Sequence, residues 1–414
     1  MKPDREKRML WENPWGYTES FIIGIGLLLT GFALEMFVGR QSAFELVFPY
    51  NLYIFLGFNL ILVILYKWFS KNQIVRWLLK VPASITSIVL VTFMVLLMGI
   101  FPQINSTNAL VNTLGLNHIT THWAFLLIII FFLTCLGLVT IKRIAQLKWK
   151  NFGFVLNHLG LYLALFAGIV GSGDLQRLSL DTYEGSPSIH ALDMNNQKVE
   201  LPFAIYLKDF KIEEYNPKLA LVDNEKGELV HNNGKNLYLI DSGKVYNFEE
   251  YHVRILKFLE SSGRIENGYA FVNEQGSPPS AEIEVINTKT KDTVKGWISS
   301  GSFRHPFESL KIDAKYSMVM TIPEAKKFSS DISILNIDGS RIETTLEVNK
   351  PYSYKGYKLY QLSYDDAMGK WSTLSVIELV RDPWLPVIYT GVFMMIAGAV
   401  YMFWMGNKFK KETK

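Results

Sequence analysis

Apolar side chains along this chain gather in six long runs, quite unlike the short stripes of a soluble domain. Five lie at roughly 20–38, 50–66, 83–101, 122–141 and 152–172, and the sixth at 385–405. Each is 17 to 21 residues long, and a helix rising about 1.5 Å per residue needs about 20 to cross the hydrocarbon core of a bilayer. Six such runs predict membrane helices rather than buried soluble ones. The first does not read as a cleavable signal peptide, because it continues toward Gly39 and Arg40 with no small-residue cleavage pattern and further spans follow.

Between 173 and 384 the period changes to two. "KYSMVMTI", "DISILNI", "IETTLEV", "YKLYQLSY" and "WSTLSVIELV" alternate, and turn formers stand between them, among them Asp338-Gly339, Lys355-Gly356 and Met368-Gly369. One stretch, "IPEAKKFSSD" behind Pro323, predicts a short helix. The fold class is therefore a multi-pass α-helical membrane protein of about six spans, with a large β-rich extracytoplasmic domain before the last. The expected divisions are 1–172 (five spans), 173–384 (β-rich domain) and 385–414 (final span and basic tail).

Charge gives the orientation. The N-terminal tail, the loops after spans 2 and 4, and the C-terminal tail hold 16 Lys and Arg, whereas the two short loops on the other side hold only Arg40. The positive-inside rule places both termini in the cytoplasm and the β-rich domain outside. That domain carries 25 basic and 31 acidic residues, so the chain's net charge of +4 arises from its membrane part. The positive charge faces lipid headgroups; no nucleic-acid partner is implied.

Composition narrows the chemistry. The single cysteine, Cys135, lies in a span, so the outer domain has no CxxC pair and no disulfide. Nor does the domain contain a phosphate loop, an HExxH motif or a serine elbow. Its histidines at 190, 231, 252 and 305 are scattered. It reads as a docking or scaffolding surface rather than a hydrolase.

The other three histidines carry more. His158 lies about seven residues into span 5, roughly 9–10 Å from its cytoplasmic start. Phe154, Leu161 and Tyr162 share its face by helical spacing. An imidazole at that depth needs a partner. A bond to a neighbouring span, haem ligation and proton passage all meet the need. His118 and His122, at i and i+4, share a face if the helix starts before Thr120, and could hold a ligand or metal at the outer mouth of span 4. A vertical offset of roughly 20 Å separates His122 from His158, so the two cannot bracket one iron. Were His158 to bind haem, the opposite ligand would come from another chain.

Two stretches then become recognisable. "GFVLNHLGLYLALFAGIVGSGDLQRLSL" runs a histidine-bearing span into a glycine-rich exit, and "LEVNKPYSYKGYKLYQLSYD" is followed by "WSTLSVIELVRDPWLPVIYTGVFMMIAG". Across residues 151–178 and 346–398 the chain resembles the ResB family (Ccs1, or CcsB-like), membrane proteins of the System II cytochrome c biogenesis pathway. The resemblance implies a bacterial inner-membrane protein working with a CcsA/ResC-like membrane partner. Together the two would move haem b outward and support its thioether attachment to the CxxCH cysteines of apocytochrome c. It further implies that His158 is an axial haem ligand paired with a histidine of the partner. The chain lacks the tryptophan-rich WWD segment of the CcsA half, so alone it is expected to be a non-catalytic or incomplete half of a synthetase. A histidine-dependent transporter and a non-catalytic assembly scaffold are the competing expectations.

Overall fold

The computed structural model describes residues 9–39, 46–230, 237–248 and 250–411. The sequence features at Lys2, Arg5, Lys7, Arg8, Arg40, His231 and Lys414 lie outside the described residues. Two compact units result, one of Met1–Leu175 with Asp382–Lys414 and one of Gln176–Arg381.

The first unit is helical: α1 (Tyr17–Val38), α2 (Tyr50–Trp68), α3 (Gln73–Leu78), α4 (Val81–Ile100), α5 (Ala109–Thr113), α6 (Trp123–Ala145), α7 (Phe152–Val170) and α8 (Leu385–Lys411). Six of these, all but α3 and α5, are long and apolar enough to cross a membrane. The chain is a membrane protein. Helix starts follow local chemistry. Asn72 and Asn108 cap α3 and α5 through their side-chain oxygens, and Asp382 accepts from the Trp384 and Leu385 N–H groups at the start of α8.

Helix α6 is the hub, the most buried of the six, and packs against α1, α2, α4 and α7. Small residues let the backbones close. A Cβ at Gly160 of α7 would stand 2.5 Å from the Gly391 carbonyl oxygen of α8, and one at Gly391 would meet Gly160 equally closely. In apolar surroundings such close packing replaces the hydrophobic drive between helices. Beside this seam the Asn157 Nδ2 donates to the Met395 carbonyl, 3.1 Å away.

A polar knot joins α2, α7 and α8. The Asp174 carboxylate, just past α7, accepts from the Phe48 N–H (2.8 Å), the Asn51 Nδ2 (2.6 Å) and the Trp384 Nε1 (2.7 Å). The Trp384 ring lies so close to Gly171 that a Cβ there would come within 2.4 Å of it. The glycine-rich exit and the Asp-Pro-Trp element, remote in sequence, thus meet.

The second unit is β-rich. Its main sheet has eight antiparallel strands in the order Arg341–Glu347, Ala325–Leu335, Lys198–Glu214, Pro187–Leu192, Gln176–Tyr183, Leu374–Arg381, Tyr357–Tyr364, Tyr352–Tyr354. The sheet curls until it is nearly closed, with an isolated Glu347–Lys350 bridge by its outer edges. Inside sit Leu180, Phe203, Ile205, Leu207, Ile334 and Leu359. They share that interior with a buried polar cluster, where Ser330 Oγ donates to Gln361 Oε1 (2.5 Å) and Gln361 Nε2 to Ser375 Oγ (3.0 Å). Lys355 and Gly356 both have positive φ, 45° and 83°, and turn the hairpin between Tyr352–Tyr354 and Tyr357–Tyr364. The segment behind Pro323, expected to be helical, is instead the strand Ala325–Leu335. Phe328, Ser330, Ile332 and Ile334 alternate inward, and the strand is paired on both sides.

Two four-stranded sheets pack around Leu219, Ile240, Val253, Ile283, Ile298 and Met318, and a two-stranded ribbon of Ser262–Ile265 and Gly268–Phe271 completes the sheets of the described residues. The first and last strands of the whole unit are neighbours, paired in register from Gln176 with Arg381 to Tyr183 with Leu374.

Candidate functional site

His158 is the seventh residue of α7, two turns from its start. Its Nδ1–H donates to the Phe154 carbonyl one turn back, at 3.0 Å. That bond fixes the tautomer and leaves the Nε2 lone pair without a partner among the described residues. The Phe154 ring stacks on the imidazole at 3.7 Å between centroids and 23° between planes. Stacking holds the ring but does not cover Nε2, because a nitrogen lone pair lies in the ring plane. His158, Phe154 and Leu161 are half-buried, on the side of α7 away from the Gly153–Gly160 seam with α8.

Tyr162 is placed differently. It is buried in the core of the helical unit, and its hydroxyl donates to Asn59 Oδ1 of α2 at 3.1 Å. Sequence spacing put it on the His158 face; the inward turn of α7 takes it into the bundle. Arg143, in the last turn of α6, brings its guanidinium carbon to 5.1 Å from the centroid of the Phe154 ring. It was not singled out by spacing, because only the antiparallel return of α7 sets it beside Phe154.

An iron porphyrin needs a nitrogen ligand with a free lone pair, an apolar surround and an approach from outside the bundle. His158 Nε2, with its orientation fixed from behind by a backbone carbonyl, meets the first requirement in the way expected of metal-ligating histidines. Phe154 and Leu161 supply apolar surface beside it. The residues present fit the group.

The outer histidines do other work. Helix α6 begins only at Trp123, after a 3₁₀ turn over Ile119–Thr121, so His118 and His122 do not share an α-helical face as their spacing suggested. His122 is fully buried. Its Nδ1 caps α6 by accepting from the Ala124 N–H (2.9 Å), while its Nε2–H donates to the Leu114 carbonyl (3.1 Å). His118 Nε2 meets Glu35 Oε1 of α1 at 2.8 Å, and its Nδ1 meets Asn117 Oδ1 at 3.0 Å. Asn117 Nδ2 is committed to the Ile104 carbonyl and Asn112 Oδ1, so its oxygen must face the imidazole. Both nitrogens of His118 are thus engaged, one by the Glu35 carboxyl and one by the Asn117 amide. Glu35 also accepts from the Trp123 N–H at 3.2 Å. Neither imidazole leaves a nitrogen unengaged, and among the described residues no group of three His, Cys, Asp or Glu is arranged to hold a metal. The expected ligand pair is a structural tie between α1 and the start of α6.

In the β-rich unit a cleft of about 380 Å³ is lined by Phe303, Phe307, Ile322 and Trp371, with Glu214 and His305 among its polar groups. Burial pushes the Glu214 carboxyl above the ordinary carboxylate range, opposed by the Lys370 ammonium 3.4 Å away. Among the other described histidines, His190 lies on an exposed strand position and His252 bonds Asn247.

Six apolar helices with a half-exposed, tautomer-locked histidine on one of them, and one large β domain inserted before the last helix, define a membrane protein able to present an axial nitrogen. Residues 314–374, a segment of the β domain, match the model of the ResB-like family. The match overlaps the second of the two resembling stretches over 346–374 and supplies the cleft residues Ile322 and Trp371. No curated protein matches the chain. At the family level that match supports a part in cytochrome c biogenesis.

Proposed function

We propose that the chain is the ResB-type half of a haem delivery complex, joined to a CcsA/ResC-like membrane protein that supplies the opposite axial ligand. Haem b is its cargo, held with iron on His158 Nε2, and apocytochrome c with its CxxCH cysteines is the acceptor of that cargo. Charge asymmetry favours cytoplasmic termini and an extracytoplasmic β domain in a bacterial inner membrane.

One observation carries the reading: the His158 ring is fixed at Nδ1 and free at Nε2, on a face of α7 left half-exposed. A histidine serving only to hold the bundle together would turn both nitrogens inward, as His122 does. The chain's own work is to orient the ligand through the Phe154 carbonyl, to offer apolar surface to a porphyrin, and to hold α7 against α8. The iron supplies the axial coordination that retains the cargo; the thiol addition belongs to the assembled complex.

The relay required by a transporter finds little support. Glu35, the carboxylate such a path would use, lies at the opposite end of the bundle and is held by His118. The test is co-purification with the membrane partner and absorption spectroscopy of His158→Ala beside wild type. We expect the low-spin haem signal to disappear while the complex survives; an unchanged spectrum would refute ligation.

A further inference from the structure

The most unusual neighbour of His158 is a cation. Arg143 stands at the basic end of α6, with its guanidinium carbon 5.1 Å from the Phe154 ring that stacks on the imidazole. Among the described residues no carboxylate lies within ion-pair distance of it. Lys142 and Lys148 are nearby in sequence, yet neither is placed over Phe154. A helix C-terminus favours a cation, but that preference alone does not direct it toward one aromatic ring of the next helix.

We propose that Arg143 is the carboxylate anchor of the His158 site, taking a propionate of the bound haem. The inference rests on the His158 reading above and extends it to which edge of the macrocycle points where. A haem b molecule is an apolar disc with two carboxylates along one edge. Those carboxylates are costly to leave in hydrocarbon without a partner, and a guanidinium binds them through two parallel N–H donors. With iron at His158 and a propionate at Arg143, the carboxylate edge lies toward the basic end of the bundle. The opposite edge, which bears the vinyl groups used in thioether formation, points away from it. The site would thus select orientation as well as bind haem.

The experiment uses the complex with its membrane partner, loaded with either haem b or haem b dimethyl ester, in which both carboxylates are masked. Affinity and the low-spin spectrum are read for wild type, Arg143→Gln, Arg143→Lys and His158→Ala. We expect Arg143→Gln to weaken haem b about 10- to 100-fold, in line with losing a charged hydrogen bond, with the low-spin spectrum kept because His158 remains. Wild type should lose a similar factor with the ester, Arg143→Gln should show little further loss with it, and Arg143→Lys should recover part of the affinity for the free acid. Equal haem b affinity in wild type and Arg143→Gln would overturn the anchor, as would an ester penalty that persists undiminished in the variant. A wild-type complex whose haem signal is indifferent to His158→Ala would instead overturn the ligand reading, and the anchor with it.

Discussion

Glu35 shows how a single side chain can decide the form of a membrane bundle. A carboxylate in an apolar span is costly unless paired, and here it is 5 % exposed and meets His118 and the Trp123 N–H. Removing one member of a buried hydrogen-bonded pair leaves the other unsatisfied, at a cost of about 1–3 kcal/mol. Glu35→Ala should therefore lower the unfolding midpoint of the detergent-solubilised protein markedly, whereas Glu35→Gln, which keeps an acceptor for His118, should lower it less. A midpoint for Glu35→Ala equal to wild type would show that the pair holds nothing. The sequence contained these residues but not their meeting. Glu35 and His118 are 83 positions apart, and the i,i+4 histidine spacing pointed to a helical face that the 3₁₀ turn abolishes. His158 was legible because a lone imidazole within an apolar run stands out; its locked tautomer and its neighbour Arg143 required the fold.

At the scale of elements, the spans were read from their apolar runs to within a few residues, because a bilayer demands length and apolarity and both are local properties. Packing between spans is not local. The α7–α8 seam depends on Gly160 and Gly391, which face one another backbone to backbone. Gly160→Leu should push the helices apart and cost about 1–3 kcal/mol or more, seen as earlier thermal unfolding. Gly168→Leu on the same helix, where a Cβ meets nothing within 4 Å, is the matched control and should unfold near wild type. Equal behaviour of the two would remove the seam as a determinant of the bundle. The strand behind Pro323 teaches a related lesson. Its Ala-Lys-Lys start suits a helix, but partners on both sides offer a full ladder of backbone hydrogen bonds, and tertiary pairing overrides propensity.

Across the whole molecule, the change of hydrophobic period near residue 173 and again near 385 leads to the expectation of separate helical and β-rich parts, and the contacts group the chain into units of Met1–Leu175 with Asp382–Lys414 and of Gln176–Arg381. The near closure of the eight-stranded sheet was not legible, because strand order depends on pairings that alternation alone does not specify. Nor was the role of Gln361, whose amide links Ser330 and Ser375 inside that sheet. The strand Gln176–Tyr183 lies directly beside Leu374–Arg381, so the segment begins and finishes at one place on its own surface. A segment so bounded is portable: expressed alone as residues 176–381, it should be water-soluble and give the circular dichroism of β structure with a cooperative melt. An aggregated or unfolded product would mean that the helices act as its folding template. If it does fold, evolution could have moved this module between membrane anchors without rebuilding either part.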